Sequence, residues 1–254
     1  MTLIDQGFFI SMTKELIKEY ISLIDLTSLS SIDNEQTILD LVAKGNKGLE
    51  EISPAAYCVY SDHIKPILAN KKESIKAATV AGYFPSGQST IEQKIKELEF
   101  LNDSLVDEID IVVNRGKILM DDYEYLSKEI SLSKETIGKK CLKVILETGE
   151  LNTQQIRRSS EVAIASGANF IKTSTGKSAI GATPEAVKIM CESIKQSGLN
   201  VGIKVSGGVR TFEDAELYRN LVEGILGKEW INKDRFRIGA SSLFDNLIID
   251  FNKL

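Results

Sequence analysis

Apolar residues along the chain fall into short runs, each closed by a turn and followed by a stretch with helical spacing. The runs are Leu23 to Thr27, Ala55 to Ser61, Ile75 to Tyr83, Glu108 to Asn114, Cys141 to Thr148, Phe170 to Thr175, Val201 to Ser206 and Arg235 to Ser242. Strand-like runs alternating with helical stretches mark βα units and a parallel sheet. Eight such units predict an α/β protein built as a single (β/α)8 TIM barrel. Barrels of this kind occupy about 200 to 250 residues as one unit, so the 254 residues here do not call for a second domain. The helices announce their starts. Ser89-Thr90-Ile91-Glu92 reads as a capping box ahead of Gln93 to Leu101, Thr183-Pro184-Glu185 places proline at a first helical position, and Asn152 and Thr211 open two more. The four prolines are dispersed, and no low-complexity tract breaks the chain. One domain over residues 1–254, with a short helical extension at its N-terminus, is therefore expected.

Successive side chains of a strand point to opposite faces, and the two faces differ sharply. One carries Ile24 and Leu26, Ile109, Ile111 and Val113, Leu142, Val144 and Leu146, and Val201, Ile203 and Val205. This is the face expected to pack under helices. The other carries Asp25 and Thr27, Glu108, Asp110 and Asn114, Lys143 and Glu147, Lys172 and Ser174, and Lys204 and Ser206. In a closed barrel that second face is the interior, which ordinarily fills with branched apolar side chains. Burying this many ionisable groups costs several kcal/mol each, by order of magnitude, unless they are paired. A buried salt-bridge network is the structural reading; a chemical site is the other.

The run Phe170-Ile-Lys-Thr-Ser-Thr-Gly-Lys177 commits Lys172 to the charged face. Desolvation and neighbouring cations push an amine below its ordinary pKa of about 10.4, leaving a nucleophile able to form a Schiff base with a carbonyl. Adjacent strands lie roughly 4.8 Å apart, so Lys204 on the next strand can stand beside Lys172 as such a cation.

Composition removes rivals. A net charge of −5 without a basic arm gives no reason to expect nucleic acid or an anionic membrane as partner. The longest apolar runs fall short of the ~18 residues that span a bilayer. Gly7-Phe8-Phe9-Ile10 follows Asp5 rather than a basic segment, so no signal peptide is expected. Cys58, Cys141 and Cys191 are odd in number and scattered, which fits a reducing, cytoplasmic setting. They lack metal-ligand spacing, and the single histidine, His63, has no acidic or thiol partner at ligand spacing, so neither a zinc site nor a Ser-His-Asp triad is expected.

Glycine turns follow the last three strands: Thr175-Gly176-Lys177, Ser206-Gly207-Gly208-Val209 and Ile238-Gly239-Ala240-Ser241-Ser242. Amides exposed by glycine, with the positive end of a following helix, bind anions, and barrels place phosphate sites after strands seven and eight. Ser241 and Ser242 stand where such a helix can begin.

The runs Leu142-Lys-Val-Ile-Leu-Glu-Thr-Gly-Glu-Leu151, Phe170 to Lys177, Val201-Gly-Ile-Lys-Val-Ser-Gly-Gly-Val-Arg-Thr211 and Arg237-Ile-Gly-Ala-Ser-Ser242 closely resemble the 2-deoxyribose-5-phosphate aldolases. So do Leu23-Ile-Asp-Leu-Thr27 and Asp107-Glu-Ile-Asp-Ile111, and the likeness extends from about residue 20 to about 245. The resemblance implies a class I aldolase with neither metal nor organic cofactor, a phosphosugar as its small-molecule partner, and a possible homodimer; a phosphosugar isomerase or epimerase and a non-catalytic phosphosugar-binding barrel would share the glycine turns, but neither needs the lysine pair. It places Lys172 on the Schiff-base lysine, Lys204 on the second catalytic lysine and Asp110 on the proton-relay aspartate. It also places Gly176, Lys177, Gly207, Gly208, Ser241 and Ser242 on the phosphate side of the site, and Asp25, Thr27, Cys58 and Lys143 on its inner pocket; Gly239, from the third glycine turn, is a further candidate for binding substrate. The segment Ala56-Tyr-Cys-Val-Tyr-Ser-Asp62 departs from the more apolar run common in that family, and the turn Ala81 to Pro85 is a residue longer than usual. The chain ends Asn252-Lys253-Leu254, so the terminal tyrosine that assists proton transfer in some members is not expected to act here.

Overall fold

The computed structural model describes residues 11–254, and the apolar run at Gly7 to Ile10 lies outside them. Along the described residues run α1 (Lys14–Leu23), β1 (Ile24–Thr27), α2 (Glu35–Lys47), β2 (Ala56–Val59), α3 (Ile64–Asn70), β3 (Lys76–Ala81), α4 (Ile91–Asn102) and β4 (Glu108–Val112). Next come α5 (Arg115–Leu119), α6 (Tyr123–Ile137), β5 (Cys141–Ile145), α7 (Thr153–Ala165), β6 (Phe170–Lys172) and α8 (Pro184–Ser197). The sequence of elements ends with β7 (Gly202–Ser206), α9 (Phe212–Leu226), β8 (Phe236–Ala240) and α10 (Ser242–Phe251). The strands pair in parallel in chain order, and β8 closes on β1. Each apolar run read from the sequence contains one strand of this closed (β/α)8 barrel.

Asn152, Thr183 and Thr211 cap α7, α8 and α9 by accepting the N–H three residues on. The capping box expected at Ser89 sits one residue later. Thr90 is the cap of α4, and Gln93, not Glu92, closes the box. The sequence holds two overlapping boxes, and the helix that starts from the second buries Ile91, Lys94, Leu98 and Leu101.

Two apolar clusters separate the faces of the sheet. The larger lies between strands and helices and includes Ile24, Leu26, Ile109, Ile111, Leu142, Val144, Ile203 and Val205. The smaller, Leu29, Ala56, Cys58, Ala78 and Val80, lines the interior on the side of β2 and β3. Its side chains are short where those of β5 to β8 are long. Lysines and an arginine from β5 to β8 can therefore cross the barrel to reach carboxylates on β1 and β4.

Two glycines inside the barrel make that crossing possible. A Cβ on Gly239 would stand 2.8 Å from Ser206 Cβ and 3.0 Å from Lys204 Cε, space that the lysine stem uses on its way towards β1. A Cβ on Gly202 would stand 2.3 Å from the Phe170 ring and 2.8 Å from the Arg235 carbonyl oxygen. Phe170 in turn lies 5.7 Å from the guanidinium of Arg237, under the charged layer. Gly202→Ala should therefore overpack the barrel floor and lower stability by about 1–3 kcal/mol. Urea unfolding checks this; a variant as stable as the parent shows that the floor yields.

Candidate active site

The charged face of the sequence becomes one network of ion pairs. Asp110 is its centre: Oδ2 accepts from Lys172 Nζ at 2.9 Å and from Lys204 Nζ at 2.7 Å, and Oδ1 accepts from Lys143 Nζ at 2.9 Å. Lys204 also lies 2.6 Å from Asp25 Oδ2, and Lys143 lies 3.5 Å from the same atom. Lys143 donates to Glu108 as well. Arg237 donates to Asp25 through Nη1 and to Glu108 Oε1 through Nη2, the latter at 3.0 Å. Strand register sets this up, since Lys172 is the partner of Lys204 across β6 and β7, and Lys204 of Arg237 across β7 and β8.

The lysines differ in how many carboxylates they touch, and their proton affinities follow that order. Lys143 meets Glu108, Asp110 and Asp25, and these outweigh burial and raise its pKa well above the ordinary value. Lys204 meets Asp110 and Asp25, which likewise overcome burial and raise it. Lys172 meets Asp110 alone, so burial, helped by the charge of Lys204, prevails and its pKa is lowered. Burial pushes the carboxyls of Asp110 and Asp25 upward, but the cations around them win and hold both low. Cys58 Sγ lies 3.9 Å from Asp110 Oδ2, and burial raises its thiol, so it is a neutral neighbour.

Above the network opens a cavity of about 380 Å³. Lys172 forms part of its floor, and Thr27, Gly176, Lys177, Gly207, Gly208, Gly239, Ser241 and Ser242 line it, together with Ser206 and Arg210. Gly176, Gly207 and Gly208 have φ of 77°, 86° and 92°, a left-handed conformation that favours glycine. Helix α10 points its N-terminus into the cavity wall, and the side chain of its cap residue, Ser241, makes no capping hydrogen bond. Its hydroxyl and the first amides of the helix suit an anion. Asp25, Cys58, Asp110, Lys143 and Lys204 do not line the cavity; each is fully buried beneath it.

Two sequence readings change here, and one further residue joins the network. Gly239 belongs to β8 rather than to a turn, and its lack of a side chain serves Lys204 as well as the cavity. Glu147 leaves the interior face because its φ of 57° breaks the alternation beyond β5. Its carboxylate accepts from the Thr175 amide at 3.1 Å, from the Thr175 hydroxyl and from Arg115 at 3.3 Å, and so anchors the loop after β6. Arg237 was legible only as part of a motif. Period two places it with Gly239 on the interior face, and its register with Lys204 was the missing signal.

Residues 20–243 match the family described as DeoC/LacD family aldolase. A protein of Agrobacterium fabrum named "Deoxyribose-phosphate aldolase" is 40% identical over 232 residues, covering 90% of this chain and 88% of that protein. A Caenorhabditis elegans protein provisionally bearing the same name is 39% identical over 246 residues, covering 92% of this chain and 81% of that protein. A solved structure of the deoxyribose phosphate aldolase of Aeropyrum pernix, described as a unique tetramer, superposes with a TM-score of 0.75 at 26% identity. That superposition covers 94% of this chain and 93% of the other.

The depressed carboxyls couple the network to acid stability. Their stabilisation is fully present above the unfolded-chain value of about 3.9 and is lost as pH falls through it towards the folded values. Urea midpoints should hold down to about pH 5 and then drop steeply. Asp110→Asn removes the shared acceptor and should lose about 3–5 kcal/mol at neutral pH, because it leaves the buried ammonium groups short of a partner. The acid limb of the variant should also be shallower. An equally steep limb would remove Asp110 as its source.

Proposed function

The chain belongs to the DeoC/LacD family of aldolases, and we propose that it reversibly cleaves 2-deoxy-D-ribose 5-phosphate to D-glyceraldehyde 3-phosphate and acetaldehyde through an imine on Lys172. One observation carries the residue assignment. Of the four cations in the barrel network, Lys172 alone lines the cavity, and it is also the one whose proton affinity is lowered.

In this reading the phosphate sits against Gly176, Lys177, Gly207, Gly208 and the Ser241-Ser242 start of α10, which directs the C1 aldehyde of the open-chain sugar down to Lys172. The free amine adds to C1. Proton transfers convert the carbinolamine oxygen into water, which leaves, and the protonated imine remains as electron sink. The C3 hydroxyl then gives up its proton, the C2–C3 bond breaks, and its electron pair forms the enamine as C3 becomes the aldehyde of the departing triose. Protonation at C2 and hydrolysis release acetaldehyde. Asp110 accepts directly from Lys172 and Lys204, within the reach that proton transfer requires. Lys204, held by Asp25 and Asp110, keeps a positive charge beside the reacting nitrogen. Thr27 lines the inner cavity wall, while Asp25, Cys58 and Lys143 act from beneath its floor.

The chain acts as one domain in this reading, every described strand belonging to the same closed sheet. Cys58, Cys141 and Cys191 are free thiols, which supports a cytoplasmic, reducing setting. No helix among the described residues is long and apolar enough to cross a membrane. Family likeness supports a homodimer; light scattering reads the assembly, and a tetramer would correct it.

Incubation with acetaldehyde and sodium borohydride should convert the imine to a stable secondary amine and abolish activity, and peptide mapping should place the adduct on Lys172. Lys172→Ala should lose both trapping and turnover. Normal turnover by that variant, or an adduct on Lys177 or Lys204, overturns the assignment. Ser242→Glu tests the phosphate site separately, because it opposes an anion at the start of α10. KM for deoxyribose 5-phosphate should rise about tenfold or more, equivalent to ~1.4 kcal/mol, with a much smaller effect on unphosphorylated deoxyribose. Equal losses on both sugars would move the phosphate elsewhere.

A further inference from the structure

The interior network is not balanced. Four cations, Lys143, Lys172, Lys204 and Arg237, share three carboxylates, Asp25, Glu108 and Asp110. All seven side chains are buried. With every group ionised the barrel would hold one uncompensated charge in a low-dielectric interior, so one proton is poorly held. Lys172 has a single carboxylate partner and the others have two or more, so the poorly held proton is the one on Lys172. Remove any one of the other three cations and the excess disappears. Two of those are lysines close to the reacting nitrogen; the third is Arg237, which does not line the cavity.

We propose that Arg237 is a positioning residue that keeps Lys172 available as the free amine, by occupying Asp25 and Glu108 and so leaving the barrel network one cation in excess. Its effect runs through contacts already described. Arg237 holds Glu108 and Asp25, Lys143 and Lys204 share those same carboxylates, and both lysines bind the carboxylate of Asp110 that faces Lys172. Without Arg237, Asp25 and Glu108 draw more strongly on Lys143 and Lys204, and Asp110 is left freer to hold a protonated Lys172. The titratable groups around Lys172 are Asp25 on β1, Cys58 on β2, Asp110 and Glu108 on β4, Lys143 on β5, Lys204 on β7 and Arg237 on β8, with Lys177 and Arg210 at the cavity rim. On β3 the interior positions are Ala78 and Val80, which carry no charge. The inference rests on Lys172 being the imine-forming residue.

Charge counting gives substitutions of opposite sign, which loss of packing cannot imitate. Imine formation at Lys172 is followed as labelling by acetaldehyde and sodium cyanoborohydride over a range of pH, with the site confirmed by peptide mapping. Arg237→Gln leaves three cations on three carboxylates and should move the labelling midpoint up by about one pH unit. Glu108→Gln leaves four on two and should move it down by a similar amount. The double variant restores an excess of one and should return the midpoint towards that of the unaltered protein. Arg237→Lys keeps the charge and should leave the midpoint in place even where stability falls. Should Arg237→Gln fail to fold, Glu108→Gln decides alone: a lower midpoint supports the inference, and an unchanged or higher one overturns it. Labelling of Lys172 at one common midpoint in all variants overturns the role of Arg237 only. Absence of labelling in the unaltered protein overturns the imine reading and this inference with it.

Discussion

Everything inside the barrel depends on one overloaded carboxylate. Asp110 lies within hydrogen-bonding distance of three ammonium groups, from Lys143, Lys172 and Lys204. A single negative charge cannot compensate three positive ones in the buried barrel interior, so the lysines compete. Two of them have further carboxylates to turn to, Asp25 and Glu108 for Lys143 and Asp25 for Lys204, and those two keep their protons. The third does not. The nucleophilic character proposed for Lys172 is thus less a property of that side chain than of what the other lysines have been given.

The arrangement imposes a shape on the barrel. Long cations from β5 to β8 must reach carboxylates on β1 and β4, and a barrel filled with branched side chains would block them. Strands β2 and β3 answer with Ala56, Cys58 and Ala78, and β7 and β8 with Gly202 and Gly239, whose missing methyl groups are replaced by the Phe170 ring and the Lys204 stem. Core packing and site chemistry are therefore one problem here. A larger residue at Gly239 would not merely crowd the barrel; it would displace Lys204 from beside Lys172.

Much of this was legible in the chain, for a definite reason. Period-two alternation is rigid, so once the strands were found, the residues sharing a face with Lys172 were fixed in number and kind. Asp110, Lys143, Lys204 and Asp25 all stand where alternation put them. Glu147 does not, because a left-handed residue beyond the end of β5 reverses the side-chain direction, and alternation carries no warning of that. The start of α4 is ambiguous in the sequence for a different reason: two overlapping capping boxes, Ser89 with Glu92 and Thr90 with Gln93, are equally good locally, and the helix uses the second. What the sequence could not convey was which carboxylate each cation would choose, because that depends on register between strands far apart in the chain.

A second buried lysine shows why low proton affinity alone does not make a site. Lys94 on α4 pairs with Glu129 on α6 and donates to the Val112 carbonyl oxygen at 3.0 Å, while Glu129 accepts from the Asn114 amide at 3.2 Å. Burial lowers the pKa of Lys94 as it does that of Lys172, and burial raises that of Glu129. Through these contacts the pair braces the end of β4. Yet Lys94 is enclosed between sheet and helices, where no carbonyl compound can reach it. The barrel lysine differs in one respect, the cavity above it, and that opening lies between the glycine turns and the start of α10. Proton affinity is set by burial together with the charges that Asp110 and Lys204 bring from β4 and β7, and access by the loops that follow β6, β7 and β8. A change in the network charges should therefore alter the proton affinity of Lys172 while leaving access to it as it was, whereas a change in the loops that alters its burial touches both.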